Sequence, residues 1–238
     1  MNELLELAVD AAGGLDRWKQ LKSVRASMSI TGAIYHLKGK PDVLKDITVE
    51  AQLQEQALTI HYRDQQRRTT FDPDLIVSET EEGQLLERRA NPRASFAGHV
   101  FETPWDDIHL AYFVSEALWT YFTIPFLYTY PGFVTEELAP WQENREVWRP
   151  LKVTFPDNVT SHTREQVSYF GNDGFLRRHE FTIDVLGGAT GLYYTTDYQV
   201  FDGIMVPTKR RGYAYDTDKR KVPEPLLVAM EISEVSFS

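Results

Sequence analysis

The chain has 238 residues, enough for one large β-rich domain or two small ones. Hydrophobic residues make up 42% and charged residues 25%, ordinary globular values that exclude global disorder. A formal net charge of −10 disfavours non-specific nucleic-acid binding, which rests on clustered Lys and Arg, and the absence of cysteine removes disulfides and thiol chemistry.

The sequence opens MNELLELAVD, with acids where a signal peptide carries positive charge and no continuous apolar core, so a cytoplasmic protein is expected. Asn2 can cap a short helix bearing Leu4, Leu7 and Ala11 on one face, stopped by Gly13-Gly14. Leu15, Trp18 and Leu21 suggest another turn or two. From Val24 the period becomes two: Val24, Ala26, Met28 and Ile30 alternate with polar residues. The pattern recurs at Ile47–Leu53 and Leu58–Tyr62, as in half-buried antiparallel strands. Shorter strands are predicted at Arg67–Phe71, Leu75–Glu79 and Gln84–Arg89, separated by Asp-Pro-Asp and Glu-Glu-Gly turns. The basic clusters Arg67-Arg68, Arg88-Arg89, Arg177-Arg178 and Lys209-Arg210-Arg211 fall in strand-like runs and are expected on solvated faces or paired with acids.

The segment WDDIHLAYFVSEALWTYFTIPFLY, from Trp105 to Tyr128, is the one long stretch with helical spacing and nearly all-apolar faces. Thr103 is expected as N-cap with Pro104 at the first helical position, and Asp106 and Asp107 place negative charge at the positive end of the dipole. One face runs Trp105, Ile108, Tyr112, Ser115, Trp119, Phe122, Phe126, and a second runs Leu110, Val114, Leu118, Tyr121. A helix apolar on most sides is buried. Pro125 should end or kink it. The length could span a bilayer, but Glu116 in mid-segment, His109 near its start and Pro125 argue against stable membrane insertion.

After Pro131-Gly132 and Pro140, strands are predicted at Glu146–Phe155, Thr163–Phe170, Phe175–Val185, Leu192–Val200, Ile204–Tyr215 and Leu227–Val235. Nothing between the two strand runs is long enough to act as a domain linker. Residues 1–238 therefore read as a single α+β domain, helices and a meander, then one long helix and a second meander.

Chemistry is sparser. If Asn172 and Asp173 form a two-residue hairpin turn, Gln166 lies opposite His179, Ser168 opposite Arg177 and Phe170 opposite Phe175, all on one face. His162 joins that face if the strand extends back to it. A histidine, glutamine and arginine beside aromatics could hold a polar head group or act in acid/base chemistry; the face could equally be solvated, or His179 structural. The histidines show no H-x-H or HExxH spacing, so no metal site is expected, nor any cofactor. No G-x-S-x-G marks a nucleophile. The aromatic stripe of the helix could line a ligand cavity or pack a core, and Tyr112, Tyr121, Tyr128 and Tyr130 need hydrogen-bond partners if buried.

The N-terminal helix ending in GGLDRW, the strand run, the buried helix, and the stretches YFGNDGFLRRHEF and YYTTDYQVFDGIMVPTKRR resemble the LolA/LolB-like lipoprotein-carrier superfamily. Uncharacterised bacterial proteins of that type carry stretches similar to ALWTYFTIPF, WRPLKVTFP, HTREQVSYF and LRRHEFTIDVLGG. The resemblance spans essentially the whole chain. It implies an incomplete barrel of about eleven antiparallel strands, with helices plugging its concave face over an apolar cavity that in the carriers holds acyl chains. The chain is expected to depart from the carriers in lacking a signal peptide and a lipobox cysteine, and the resemblance supplies no catalytic residue. The expectation is a binding protein for a small hydrophobic or amphipathic ligand, a fatty acid or lipid. Trp105, Tyr112, Trp119, Phe122 and Phe126 would form the wall, and His162, Gln166 and His179 the polar contacts. The alternatives are an enzyme using His162 or His179 as acid/base on a hydrophobic substrate, and a protein–protein adaptor with a filled cavity.

Overall fold

The computed structural model describes residues 2–238. Asn2 caps α1 (Glu3–Ala11), its side chain accepting from the Leu5 amide at 2.8 Å. Gly13 ends that turn at a φ of +125°, where a Cβ would meet the Gly203 carbonyl at 2.3 Å. Only glycine allows so close an approach to the β-hairpin behind it. The short α2 (Leu15–Trp18) follows, and Trp18 is fully buried.

The first meander comprises β1 (Ser23–Thr31), β2 (Ile47–Gln52), β3 (Leu58–Tyr62), β4 (Arg67–Asp72), β5 (Leu75–Thr80) and β6 (Leu85–Ala90), with α3 (Ala33–Leu37) between β1 and β2. The second comprises β7 (Val134–Glu137), β8 (Trp141–Glu143), β9 (Glu146–Thr154), β10 (Glu165–Phe170), β11 (Leu176–Ile183), β12 (Ala189–Phe201), β13 (Ile204–Tyr213) and β14 (Val228–Phe237). β14 pairs with β1, so the two meanders fuse into one sheet of 14 strands in the order β6-β5-β4-β3-β2-β1-β14-β13-β12-β11-β10-β9-β7, with β8 on β9. The sheet does not close: β6 and β7 are its edges. It is an incomplete antiparallel barrel, with more strands than the eleven or so that the resemblance implies and two more, β7 and β8, than the periodicity predicts. β7 and β8 are four and three residues long, too short for alternation to show in the sequence.

α4 (Asp107–Thr123) packs against this sheet, and 14 of its 17 residues are buried. Its N-cap is Asp106, not Thr103. Asp106 Oδ1 accepts from the His109 amide at 2.8 Å, while His109 Nδ1 accepts from the Asp106 amide at 3.3 Å. This reciprocal pair satisfies two free backbone donors, which Thr103 and Pro104 could not do. The helix ends before Pro125, and Phe126–Thr129 form a separate turn of 3₁₀ helix. Among the described residues no helix is long and apolar enough to cross a membrane.

Alternation is clean in the strands facing α4: every second residue of β3 and β13 is buried. The β10–β11 hairpin differs from the expected register. Gly171 donates to the Phe175 carbonyl at 2.9 Å, so the turn is longer than two residues. Ser168 therefore pairs with His179 and Tyr169 with Arg178. The ladder shifts between Tyr169 and Phe170, leaving Arg177 unpaired in a bulge. A shift of two residues conserves the face, so Gln166, Ser168 and His179 still point the same way. Arg177 does not join them, and pairs instead with Asp173 at 2.6 Å.

Candidate functional site

α4 presents two unlike sides to its surroundings. One side is packed solid. Trp119 donates its indole N–H to the Gln52 carbonyl at 2.8 Å, and Tyr112 sits edge-on to Phe71 at 6.0 Å. Trp105 meets Phe113 at 4.8 Å, and Phe126 stacks on Trp18 at 4.2 Å, nearly parallel. Phe122 is also buried. None of these five aromatics borders the apolar cavity of the fold.

The opposite side does. Phe113, Val114, Leu118 and Tyr121 face Phe181, Tyr193 and Met230 across a space of about 60 Å³. Phe101 and Tyr213, both half-buried, also line it. Gly191 belongs to the same wall, where a Cβ would meet the Phe181 ring at 2.7 Å. Lys38 anchors the loop carrying Phe101: its buried ammonium donates to the Phe101 and Thr103 carbonyls and lies 4.8 Å above the Trp105 ring. Burial lowers the Lys38 pKa to about 8.

His162, Gln166 and His179 converge on a small void of about 10 Å³ behind Phe181, together with Glu116 and Thr120. The hydrogen bonds around His179 run in one direction. Gln166 uses its amide nitrogen on the Thr163 carbonyl at 2.9 Å, so its oxygen accepts from His179 Nε2 at 2.6 Å. His179 Nδ1 is then the acceptor for the Ser168 hydroxyl at 2.8 Å, and Tyr128 donates to that same oxygen at 2.7 Å. Burial, reinforced by His162 and Arg210 nearby, lowers the His179 pKa to about 3. With both nitrogens engaged and no tendency to take a proton, His179 is a structural histidine.

His162 differs. It stacks on Phe113 at 4.6 Å, and its Nδ1 donates to Glu116 Oε1 at 2.7 Å. Its Nε2 makes no hydrogen bond among the described residues, and its ring borders the apolar cavity. Glu116 is fully buried, with Arg93 reaching its other oxygen at 3.5 Å. Arg93 also bonds the Tyr112 hydroxyl at 3.2 Å, the Ser161 carbonyl at 3.0 Å and Asp184 at 3.2 Å. Desolvation pushes the Tyr112 hydroxyl up to about 12. Among the described residues no three His, Asp or Glu side chains gather to hold a metal.

Two further residues at the cavity escaped the sequence reading. Arg210 is neither solvated nor paired with an acid, the two outcomes expected for its cluster, and occupies an inward position of β13, in the buried series Ile204, Val206, Thr208, Arg210, Gly212. Tyr193 lies beside it on β12. Arg178 and Arg67 are buried as well, but paired with carboxylates, one of the two outcomes expected for the basic clusters. The available signal was period two itself, which puts Arg210 on the face of Ile204 and Val206.

No protein-family model matches the sequence, and comparison with curated proteins gives no match. Comparison with solved structures does. A DUF1329 family protein from Desulfovibrio piger superposes with a TM-score of 0.53 at 11% identity, over 99% of this chain and 92% of that one. A putative outer membrane lipoprotein-sorting protein domain from Vibrio parahaemolyticus gives 0.53 at 11% identity, over 98% and 92%. A LolA superfamily protein from Nitrosomonas europaea gives 0.52 at 10% identity, over 97% and 90%. Identities this low speak for architecture alone: the chain has the fold shared by LolA-like and DUF1329 proteins, over its whole length.

Proposed function

We propose that the protein binds a small hydrophobic or amphipathic ligand, a fatty acid or lipid, between α4 and strands β11–β14. The observation that carries this reading is an apolar cavity on one side of a largely buried helix, in a fold shared with a putative outer membrane lipoprotein-sorting protein domain. Phe113, Val114, Leu118 and Phe181 form the wall in this proposal. Trp105, Tyr112, Trp119, Phe122 and Phe126 pack away from the cavity, and Gln166 and His179 belong to the buried hydrogen-bond network beside it. A space of about 60 Å³ is well below the roughly 300–1,000 Å³ of formed ligand sites. Entry of an acyl chain therefore requires the walls to move apart, and in this proposal they part between Phe101 and α4. Native mass spectrometry of gently purified protein, with thermal melts across medium- and long-chain fatty acids, tests this. No co-purified lipid and no melting shift with any chain would count decisively against it.

A second reading is favoured by one specific geometry. The Glu116–His162 pair orients an imidazole whose Nε2 is unengaged at the cavity wall, the arrangement of a general base held by a carboxylate. In that reading His162 acts on a hydrophobic substrate. His162→Gln would then lower turnover by about 10²-fold or more while leaving substrate affinity nearly unchanged. Equal loss of affinity and turnover would return His162 to a binding role.

A further inference from the structure

Arg67, Arg178 and Arg210 are each at most 7% exposed. Two of them are neutralised by carboxylates. Arg178 reaches Glu143 and Glu180, both at 2.8 Å, and Arg67 lies 3.6 Å from Asp107. Arg210 forms no ion pair among the described residues. Its Nη2 donates to the Tyr121 carbonyl at 3.0 Å, and its Nη1 lies 3.3 Å from the Pro207 carbonyl and 3.8 Å from the Met230 sulfur. Its Nε is buried without a partner. The rest of its surroundings is aromatic, with the Tyr121 ring at 4.9 Å and the Tyr193 ring at 6.0 Å.

A guanidinium does not deprotonate in a protein, so Arg210 carries a full positive charge into an apolar space. Such a charge is costly unless something answers it. The hydroxyl of Tyr193 is also buried with no partner, and burial raises its pKa so that it remains a donor. Both residues border the cavity. Unanswered donors in the wall of an apolar space define the complement they lack: a compact anion attached to a hydrocarbon chain.

We propose that the cavity takes a fatty acid, its carboxylate on Arg210 and the Tyr193 hydroxyl and its chain running past Val114 and Leu118 toward Phe101. This rests on the cavity reading above and adds the head group and its direction. It also moves the polar contact away from the expected His162, Gln166 and His179, since the last two spend their hydrogen bonds on Thr163, Ser168 and each other.

The test compares dodecanoate with dodecanol, which share a chain and differ in head charge, by calorimetry on the full chain. Wild-type protein should bind the acid at least tenfold more tightly than the alcohol, the discrimination expected of hydrogen bonds to a charged partner. Arg210→Met should erase that preference while keeping the alcohol affinity, and Arg210→Lys should keep part of it. Tyr193→Phe, which removes a single oxygen, should weaken the acid several-fold and leave the alcohol unchanged. It decides the matter if Arg210→Met does not fold. Equal affinity for acid and alcohol in the wild type, or a preference surviving Arg210→Met or Tyr193→Phe at full strength, overturns the head-group assignment while leaving an apolar site in place. Binding of neither ligand overturns both.

Discussion

Glu116 Oε1 accepts a hydrogen bond from His162 Nδ1 at 2.7 Å, tying the loop before β10 to the fully buried middle of α4. Arg93 closes the network from the other oxygen. A carboxylate inside an apolar helix is expensive to desolvate, and it is tolerated here because both oxygens are answered. Removing the acceptor while leaving its donors behind is the damaging change. Glu116→Leu should lower unfolding free energy by about 3–5 kcal/mol in urea titrations. Glu116→Gln retains an oxygen for His162 and should cost about 1–2 kcal/mol. A leucine variant as stable as the wild type would mean that the network contributes nothing to the folded state.

His179 makes stability depend on pH. Its pKa is 6.5 in the unfolded chain and about 3 when folded, so between those values the unfolded state binds the extra proton. The sign follows: this contribution is complete above pH 6.5 and is lost as the pH falls from 6.5 toward 3. At pH 5 the loss is about 2 kcal/mol, at 1.36 kcal/mol per pH unit. His179→Gln cannot take up that proton. Its urea stability should fall about 2 kcal/mol less than the wild type's between pH 7 and pH 5, whatever it loses at pH 7. Parallel pH profiles for the two proteins would show that His179 is not held neutral by the fold.

Most strands were legible because one face of each is buried, and burial of alternate residues is what a period of two records. The helix was legible as an element, but its start was misread because Thr103 and Pro104 look like a cap. The reciprocal Asp106–His109 bonds depend on a histidine in the place usually taken by Glu or Gln. The polar cluster of Gln166 and His179 survived a wrong register only because the slip was even. Arg210 is masked by its run of basic residues, whose composition points to solvent or to acidic partners, although alternate positions in a strand face opposite ways. Which side of α4 is packed and which is hollow could not be read at all. Both sides are apolar, and the difference lies in how far the sheet approaches each.

That difference can be tested by substitution on the two sides. Phe126→Ala removes a ring stacked on buried Trp18 and should cost about 3–5 kcal/mol, with ligand affinity of the folded protein unchanged. Ala117→Leu extends into the cavity from its own wall. It should change stability by no more than about 1–3 kcal/mol and weaken fatty-acid binding at least tenfold. The opposite pattern, with binding lost in Phe126→Ala and kept in Ala117→Leu, would place the ligand on the aromatic side of α4.

The Phe101 loop offers a kinetic prediction. Lys38 holds the backbone of residues 100–103 through hydrogen bonds to the Phe101 and Thr103 carbonyls, and its own carbonyl accepts from the Trp105 amide at 3.0 Å. Phe101 lines the cavity and is half-buried, so if ligand enters past it, opening the way means breaking this clamp. Lys38→Met keeps most of the stem's packing on Trp105 but removes the donors, releasing about 1.5–3 kcal/mol of charge-assisted bonding. Amide hydrogen exchange across residues 98–104 should accelerate by about tenfold or more, since local opening there costs less. Fatty-acid association and dissociation should both quicken by a similar factor, because the open and closed forms are separated by a smaller gap. The dissociation constant should move much less than either rate. Unchanged rates with faster exchange would show that ligand enters elsewhere than past Phe101.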